Sequence, residues 1–245
     1  MPPKHVLIAL PTTGQSMKSA TAITVARLVQ HLGARGVGAD LHNIDSAEIV
    51  TARDMFANML LYTDRWDGLV FIDSDMGFDA RLVGRMIDLD EEVIGIASTR
   101  RNLDMDALVA AVRAGEPEPR AIARASGFIF KPGWRDEPVD TARLRDGFAP
   151  GAAMGMGLAY IAKTALRAMV DGGVVRPRLD LNAGPGRTCY SFFEPLEDDG
   201  HRLGEDYSFC HRWTRKLGRT VWVCIDTPIA HIGNYEYQAR YIDLL

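Results

Sequence analysis

The sequence predicts an α/β protein with one mixed, mostly parallel central sheet flanked by helices. Segments with strand and helix patterns alternate through about the first hundred residues, which is typical of a largely parallel sheet. Several of the strand segments are continuous apolar runs, as expected for strands covered by helices on both faces. The 245 residues contain no internal repeat and no Ser/Gly-rich linker, so we expect a single domain over 1–245.

Each element of the first half is predicted from its apolar pattern. The strands are apolar runs bounded by turn residues, at 6–10, 37–44, 69–72 and 93–97. The helices have apolar residues three and four positions apart, at 18–32, 49–60 and 80–89. Asp45 and Ser46 are the expected cap of the second helix. The first helix is expected to bury one stripe, formed by Ala22, Val25, Leu28, Val29 and Leu32.

The pattern weakens between 99 and 150 and then resumes. Residues 113–120 have turn chemistry, and 126–131 with Trp134 indicate a hairpin or an edge strand. Beyond this stretch we expect a strand at 154–161, a helix at 163–170, a short strand at 190–193, a helix from Gly204 to about 217 and a last core strand at 221–225.

Composition limits the possible classes of protein. Lys and Arg number 28 against 32 Asp and Glu, and this net charge of −4 argues against holding bare nucleic acid by charge alone. Cys189, Cys210 and Cys224 form no C-x-x-C spacing, so neither a disulfide framework nor a zinc ribbon is supported. No apolar run approaches the ~20 residues of a membrane span, and the N-terminus does not resemble a signal peptide. We therefore expect a cytoplasmic protein.

Asp73-Ser74-Asp75 directly follows the apolar strand at 69–72. Open α/β sheets bind ligands at the carboxyl ends of their strands. Residues two apart in extended backbone project to the same side, so both carboxylates can face one Mg²⁺ or Mn²⁺ ion. The alternative is that they cap the next helix, but Asp79 is better placed for that role.

Other motifs are ambiguous or incomplete when taken singly. Lys18 and Ser19 end a P-loop-like stretch whose two required glycines are absent, and no G-x-G-x-x-G follows the first strand. The glycines at 154–157 allow close approach of a ligand or of another backbone. Glu205 and Asp206 suit the first turn of a helix, and a single histidine such as His231 is more often a structural residue than a ligand.

Taken in order, these segments resemble the glycosyltransferases of the GT-A fold, in particular bacterial and phage members. The resemblance spans nearly the whole chain and is poorest from about 100 to 150. It is carried by Pro11-Thr12, Thr51-Ala52-Arg53-Asp54, Asp73-Ser74-Asp75, Phe192-Phe193-Glu194-Pro195, Gly204-Glu205-Asp206-Tyr207, Gly218 with Trp222, and His231-Ile232-Gly233.

The resemblance implies metal-dependent transfer of a sugar from a nucleotide-sugar donor, a UDP- or GDP-sugar, to an acceptor hydroxyl on a glycan, small molecule or modified nucleic acid. The half at about 1–98 would bind the donor, and the half at about 99–245 would bind the acceptor and carry catalysis. Mn²⁺ or Mg²⁺ would be held by Asp73, Asp75 and His231. Asp206 would be the catalytic base, with Glu205 as the alternative.

The donor site implied by the resemblance consists of Pro11, Thr12, Arg53, Asp73, Ser74, Asp75 and Gly155. Asp54 stands where related sequences often carry Asn. The stretch 176–188 is expected to be a lid over the donor. Arg100, Arg101, Arg113, Arg120 and Arg124 make the acceptor half locally basic, which indicates either an anionic acceptor or a solvated basic face.

Two other functions remain as alternatives. A sugar-nucleotide pyrophosphorylase has a similar sheet, but its glycine-rich signature after the first strand is reduced here to Gly14. A non-catalytic module could keep the fold without the chemistry, although the retained Asp73, Asp75, Asp206 and His231 argue against that.

Overall fold

The computed structural model of the protein describes residues 5–135, 137–178, 188–233 and 236–245, with only the backbone described at 236 and 237. Most of the stretch predicted to be a lid, residues 179–187, lies outside the described residues.

Helices and strands alternate along the chain. The helices are α1 Ser19–Ala34, α2 Ile49–Leu61, α3 Arg81–Asp88, α4 Met105–Arg113, α5 Glu118–Ala125, α6 Lys163–Asp171 and α7 Glu205–His211. The strands are β1 His5–Thr12, β2 Gly38–Asp45, β3 Gly68–Ile72, β4 Met76–Gly77, β5 Val93–Ile96, β6 Ser98–Leu103, β7 Ser126–Lys131, β8 Phe148–Gly151, β9 Ala153–Met154, β10 Leu158–Ala162, β11 Arg176–Arg178, β12 Cys189–Ser191, β13 Leu196–Asp198, β14 His201–Leu203, β15 Val221–Cys224, β16 Ile229–Ile232 and β17 Glu236–Ala239.

Within the described residues, the central sheet has seven strands in the order β2-β1-β3-β10-β5-β15-β8. β1 pairs in parallel with β2 and β3, and β5 pairs in parallel with β15. β10 and β8 run antiparallel to their neighbours. The predicted fold class, a mixed and mostly parallel sheet flanked by helices, is therefore confirmed.

The two faces of the sheet carry separate apolar layers. Along β1, Val6, Ile8 and Leu10 face α1 and α3, whereas Leu7 and Ala9 face the layer that includes α2, α6 and α7. This alternation follows from the two-residue period of a strand and accounts for the continuous apolar runs in the sequence. Pro11 and Thr12 end β1, and Asp73 directly follows β3, at the carboxyl edge of this sheet.

The buried face of α1 differs from the predicted stripe. Val25, Leu28 and Leu32 are buried as expected, but Val29 is exposed and so is Ala22. Their places on the buried face are taken by threonines, since Thr21 Oγ1 donates to Ser74 O at 3.1 Å. The helix is therefore turned so that its hydroxyl groups bind the loop after β3, which an apolar count does not detect.

The predicted cap of α2 is wrong, because the N-cap residue is Glu48 and the helix has no side-chain cap hydrogen bond. Ser46 Oγ accepts a hydrogen bond from Glu48 N at 3.1 Å, at the start of the helix. Asp45 instead accepts from Thr12 Oγ1 at 3.0 Å and from the backbone N–H of Gln15 at 2.9 Å. Asp45 thus holds the end of β1 in place and does not cap the helix.

The stretch from 99 to 150 is more regular than its sequence indicates. The expected turn at 113–120 is only the short connection between two helices, α4 and α5. α4 buries a single residue, Ala111. The segment at 126–131 is a strand, as predicted, and β7 pairs with β6 and β9.

Two features near the C-terminus also differ from expectation. The helix predicted to reach 217 is α-helical only to His211 and continues as a π turn over Arg212–Lys216. Beyond β15, β16 pairs with β17 and β4 in a small separate sheet. His231 lies in β16 directly opposite Met76, so this sheet brings the C-terminal histidine to the end of β3.

Candidate functional site

A polar cleft opens where β1 and β3 end. Five residues of the predicted donor site line it, namely Pro11, Thr12, Asp73, Ser74 and Asp75, together with Thr13, Ser46, Ile49 and Ala52. The cleft has a volume of about 160 Å³, below the roughly 300–1,000 Å³ of typical ligand pockets, so it accommodates part of a ligand. The rest of such a ligand would extend out of the cleft towards the neighbouring charged side chains.

Arg53 lies beneath this cleft and connects it to the second half of the chain. Its side chain is only 2% exposed, and Nη2 donates to both carboxylate oxygens of Asp73 at 3.1 and 3.2 Å. Nε lies 3.9 Å from Glu205 Oε1, and Nη2 lies 3.9 Å from Asp206 Oδ1. One buried guanidinium therefore faces three carboxylates, and these raise its pKa although its burial alone would lower it.

Asp206 is a buried acid with a strongly raised pKa. Oδ2 accepts the backbone N–H of Met156 at 3.2 Å, whereas Oδ1 is buried without a hydrogen-bond partner among the described residues. Burial, opposed by Arg53 and assisted by the neighbouring Glu205, raises the pKa of Asp206 to about 8. Burial likewise raises the pKa of Asp73, although the charge of Arg53 acts against it. Such shifts are typical of functional sites.

The glycine-rich segment at 154–157 contributes to the site through its backbone. Met156 O accepts from Arg53 Nη1 at 3.2 Å, and Gly157 O accepts from Asp73 N at 2.9 Å. Gly155 is not among the residues that line the cleft. A Cβ atom at this position would lie 3.1 Å from the side chain of Ile129. Gly155 thus permits close packing of two strands, and its predicted contact with the donor stays a prediction.

His231 and Asp75 face each other across the strands β16 and β4. The ring Nδ1 of His231 lies 2.8 Å from the carbonyl oxygen of Thr99. Because a carbonyl only accepts, Nδ1 carries the proton, and Nε2 is directed to Asp75 Oδ2 at 3.5 Å. The contacts with Asp75 and Thr99 raise the pKa of His231 despite an opposing effect of burial. This is an imidazole oriented for either a proton or a cation at Nε2.

The predicted metal ligands are not assembled as a set of three. Among the described residues, no group of three or more His, Cys, Asp or Glu side chains is arranged to hold a metal ion. Asp73 is directed to Arg53, and Asp75 is shared between His231 and Arg101, whose Nη1 lies 3.0 Å from Oδ2. The pair of Asp75 and His231 has the oxygen and nitrogen donors that Mn²⁺ accepts, and other ligands would have to come from substrate or water.

Sequence reasoning missed the residues that position the acids. Asp54 is fully buried, and its Oδ1 accepts the backbone N–H groups of Phe192 and Phe193 at 2.8 and 2.9 Å. Arg212 donates to the carbonyl groups of Phe192 and Glu194. The bonds to Asp54 hold the segment that leads to α7 against α2, and the bonds from Arg212 hold the same segment against the turn that follows α7. The sequence contained one signal for this role, because Asp54 is a charged residue among the apolar residues of the predicted second helix.

No protein-family model and no curated protein sequence matches the chain. Among solved structures, the chain is similar to A197 from STIV, with 12% identity and a TM-score of 0.46 over 94% of this chain and 86% of that one. It is also similar to GalNAc-T7 crystallised with UDP, GalNAc and Mn²⁺, with 9% identity and a TM-score of 0.43 over 94% of this chain but only 43% of that one. A third is HddC from Yersinia pseudotuberculosis, with 9% identity and a TM-score of 0.32 over 75% and 87%. No residue role follows from similarity at this level.

No helix in the described part of the chain is long and apolar enough to cross a membrane. Cys189, Cys210 and Cys224 are all buried and form no disulfide.

Proposed function

We propose that the protein is a metal-dependent glycosyltransferase that moves a sugar from a UDP- or GDP-sugar to an acceptor hydroxyl. The observation that carries the proposal is the position of Arg53, which binds Asp73 in the cleft and faces Glu205 and Asp206 on α7. Transfer of a sugar needs a site for the leaving diphosphate and a base near the acceptor. Arg53 joins candidates for both, from segments far apart in the sequence.

At the donor end, the cleft offers a polar floor at the carboxyl edge of the sheet, where open α/β sheets bind nucleotides. Thr12, Asp73, Ser74 and Asp75 line it. Two phosphates would introduce negative charge beside Asp73 and Asp75, so a cation is required there. Asp75 and His231 would hold Mn²⁺ or Mg²⁺, and the bound ion would neutralise charge on the departing diphosphate. Direct coordination by Asp73 would require Arg53 to release it.

At the acceptor end, Asp206 has the properties of a general base. Its Oδ1 lies 3.9 Å from Arg53 Nη2 and accepts no hydrogen bond from the described residues, which leaves it able to accept a proton. In a direct displacement, the acceptor oxygen bonds to the anomeric carbon as the bond to the diphosphate breaks, and the hydroxyl proton passes to Asp206. The raised pKa of about 8 means that the carboxylate form, which accepts the proton, increases as pH rises through that value.

The test is release of nucleoside diphosphate from a panel of UDP- and GDP-sugars with Mn²⁺ or Mg²⁺. Asp206→Asn should lower turnover by about 10²–10⁴-fold and leave donor affinity within a few-fold in calorimetry, since the loss falls on the transition state. Asp75→Asn should abolish metal-dependent turnover. Asp106→Asn, an exposed change in the first turn of α4, is the matched control and should leave turnover unchanged.

Three results would contradict the proposal. Undiminished turnover in Asp75→Asn would exclude the metal site, and a collapse of donor affinity in Asp206→Asn would make that residue a binding group. Exchange dependent on a nucleoside triphosphate, without release of diphosphate, would favour a pyrophosphorylase. Tight binding of nucleotide sugars without turnover of any of them would favour the non-catalytic module.

A further inference from the structure

Two side chains share a single oxygen atom of Asp75. Arg101 Nη1 lies 3.0 Å from Oδ2, and His231 Nε2 lies 3.5 Å from the same atom. Burial alone would raise the pKa of Asp75, but the contacts with His231 and Arg101 lower it. The oxygen atom that a metal ion would use is therefore already paired with an arginine.

The two acids of Asp73-Ser74-Asp75 have arginine partners of different character. Arg53, the partner of Asp73, is 2% exposed and donates to both carboxylate oxygens. Arg101, the partner of Asp75, has a side chain that is 55% exposed. A buried charge pair is costly to break, whereas an exposed pair contributes little to stability. Arg53 is thus fixed to its acid, and Arg101 can separate from Asp75.

Strand β6 positions both partners of Asp75, but it holds them differently. The carbonyl oxygen of Thr99, a buried residue in the regular part of the pairing with β7, lies 2.8 Å from His231 Nδ1. The register of that pairing then shifts between Thr99 and Leu103, and Arg101 lies in this stretch. Irregular pairing of this kind interrupts the ladder and redirects side chains. The imidazole is therefore held in place by regular structure, and the arginine is not.

A divalent cation and the guanidinium group cannot both occupy Oδ2 of Asp75. Mg²⁺ or Mn²⁺ would bind this oxygen and the nitrogen of His231 Nε2, and the positive charge of Arg101 would be repelled from the same place. Because more than half of the Arg101 side chain is exposed, it can turn away without unpacking the fold. Its charge would then be available beside the cation.

We propose that Arg101 is a donor-binding residue, which pairs with Asp75 in the metal-free protein and passes to the diphosphate when a divalent cation binds Asp75 and His231. The inference rests on the proposed function and adds to its site a residue that sequence reasoning did not include. Guanidinium groups bind phosphate oxygens through charge-assisted hydrogen bonds. Binding of the cation and binding of the donor are then coupled through one side chain.

Titration calorimetry of the whole protein measures the two parts of this exchange separately. Mn²⁺ alone should bind Arg101→Gln about two- to fivefold tighter than the wild type, because a competing exposed ion pair is removed. UDP or GDP, whichever the wild type binds in saturating Mn²⁺, should bind the variant at least about tenfold more weakly, since a charge-assisted hydrogen bond is lost. Arg100→Gln, an exposed change of the same charge on the same strand, is the matched control and should leave both affinities unchanged.

The inference requires the two affinities to change in opposite directions. Unchanged or weaker Mn²⁺ binding in Arg101→Gln would overturn the competition for Asp75, and unchanged nucleotide binding would overturn the contact with the diphosphate. Equal changes in Arg100→Gln would reduce both effects to general charge and overturn the inference as well.

The same titrations separate this inference from the proposed function. A wild type that binds Mn²⁺ but neither UDP nor GDP would contradict the proposed donor, and the competition for Asp75 would still be decided by Mn²⁺ alone. A wild type that binds nucleotide as tightly as Arg101→Gln would leave the proposed function intact and remove only the role of Arg101. Circular dichroism of each variant would establish that it is folded.

Discussion

Replacing Arg53 with Met tests the charge network at the centre of the site. The variant loses charged hydrogen bonds to Asp73, which contribute about 1.5–3 kcal/mol, and a bond to Met156 O of about 1 kcal/mol. It also leaves three carboxylates facing an apolar side chain. We expect a loss of about 3–5 kcal/mol in the free energy of unfolding near neutral pH, as for other broken buried pairs.

The loss should depend on pH in a defined direction. The pKa of Asp206 is raised to about 8 in the folded protein, so its contribution to stability is fully present below the unfolded value and is lost as pH rises through about 8. Removing the guanidinium raises the pKa values of Asp206 and Asp73 further, because the charge of Arg53 opposes both shifts. The variant should therefore be destabilised more near pH 8 than near pH 5.

Urea unfolding at these two pH values provides the measurement. Arg65→Met is the matched control, because Arg65 pairs with Asp40 but its side chain is 62% exposed. An exposed pair contributes only about 0.2–1 kcal/mol. A loss in Arg53→Met that is the same at both pH values, or no larger than in the control, would show that Arg53 does not compensate buried charge.

Three further changes have expected outcomes of their own. Asp206→Asn should make the protein more stable than the wild type near pH 8, since an amide cannot ionise, and wild-type turnover should rise with pH through about 8. Asp54→Ala should cost about 2–4 kcal/mol, because two buried N–H groups lose their acceptor, whereas Asp54→Asn should cost much less. Gly68→Ala should cost about 1–3 kcal/mol, because its Cβ would lie 2.4 Å from the buried ring of Tyr160. Gly33→Ala, with open space around it in α1, should be neutral or slightly stabilising by thermal unfolding.

Each of these predictions would be contradicted by a specific result. Equal pH profiles of unfolding for Asp206→Asn and the wild type would mean that its carboxyl is not perturbed. Equal losses for the Asn and Ala variants at Asp54 would mean that its acceptor oxygen contributes little. A Gly68→Ala protein as stable as Gly33→Ala would show that the Tyr160 ring moves aside without cost.

The surroundings of Asp54 bear on its difference from the sequences that the chain resembles, which often carry Asn at this position. Burial raises the pKa of Asp54 to about 6 although two backbone N–H groups and Arg178 favour its charged form. An Asn at this position would supply the same acceptor oxygen without a charge. Asp54 holds the segment before α7 against α2, and either Asp or Asn can do this. This role is structural and does not involve the reacting groups.

The sequence alone determined the class of the fold and the order of its main elements. Continuous apolar runs specify strands covered on both faces, and spacings of three and four specify the helices, because both patterns are local consequences of backbone geometry. By the same reasoning Asp73 and Asp75 were expected at the end of a buried strand. Local patterns failed for α4 and for the face of α1, where burial depends on what packs against the helix.

Only the tertiary structure decided which of the distant residues meet. Arg53 and Asp206 are separated by more than 150 positions in the chain, and their contact depends on how α2 and α7 pack on one face of the sheet. The ion-pair partners of the basic residues were equally hidden, since a partner such as Glu116 or Asp75 is found through space. The net charge can be counted from the sequence. The pKa values and ion pairs of the charged groups depend on burial and on distances, which only the folded chain determines.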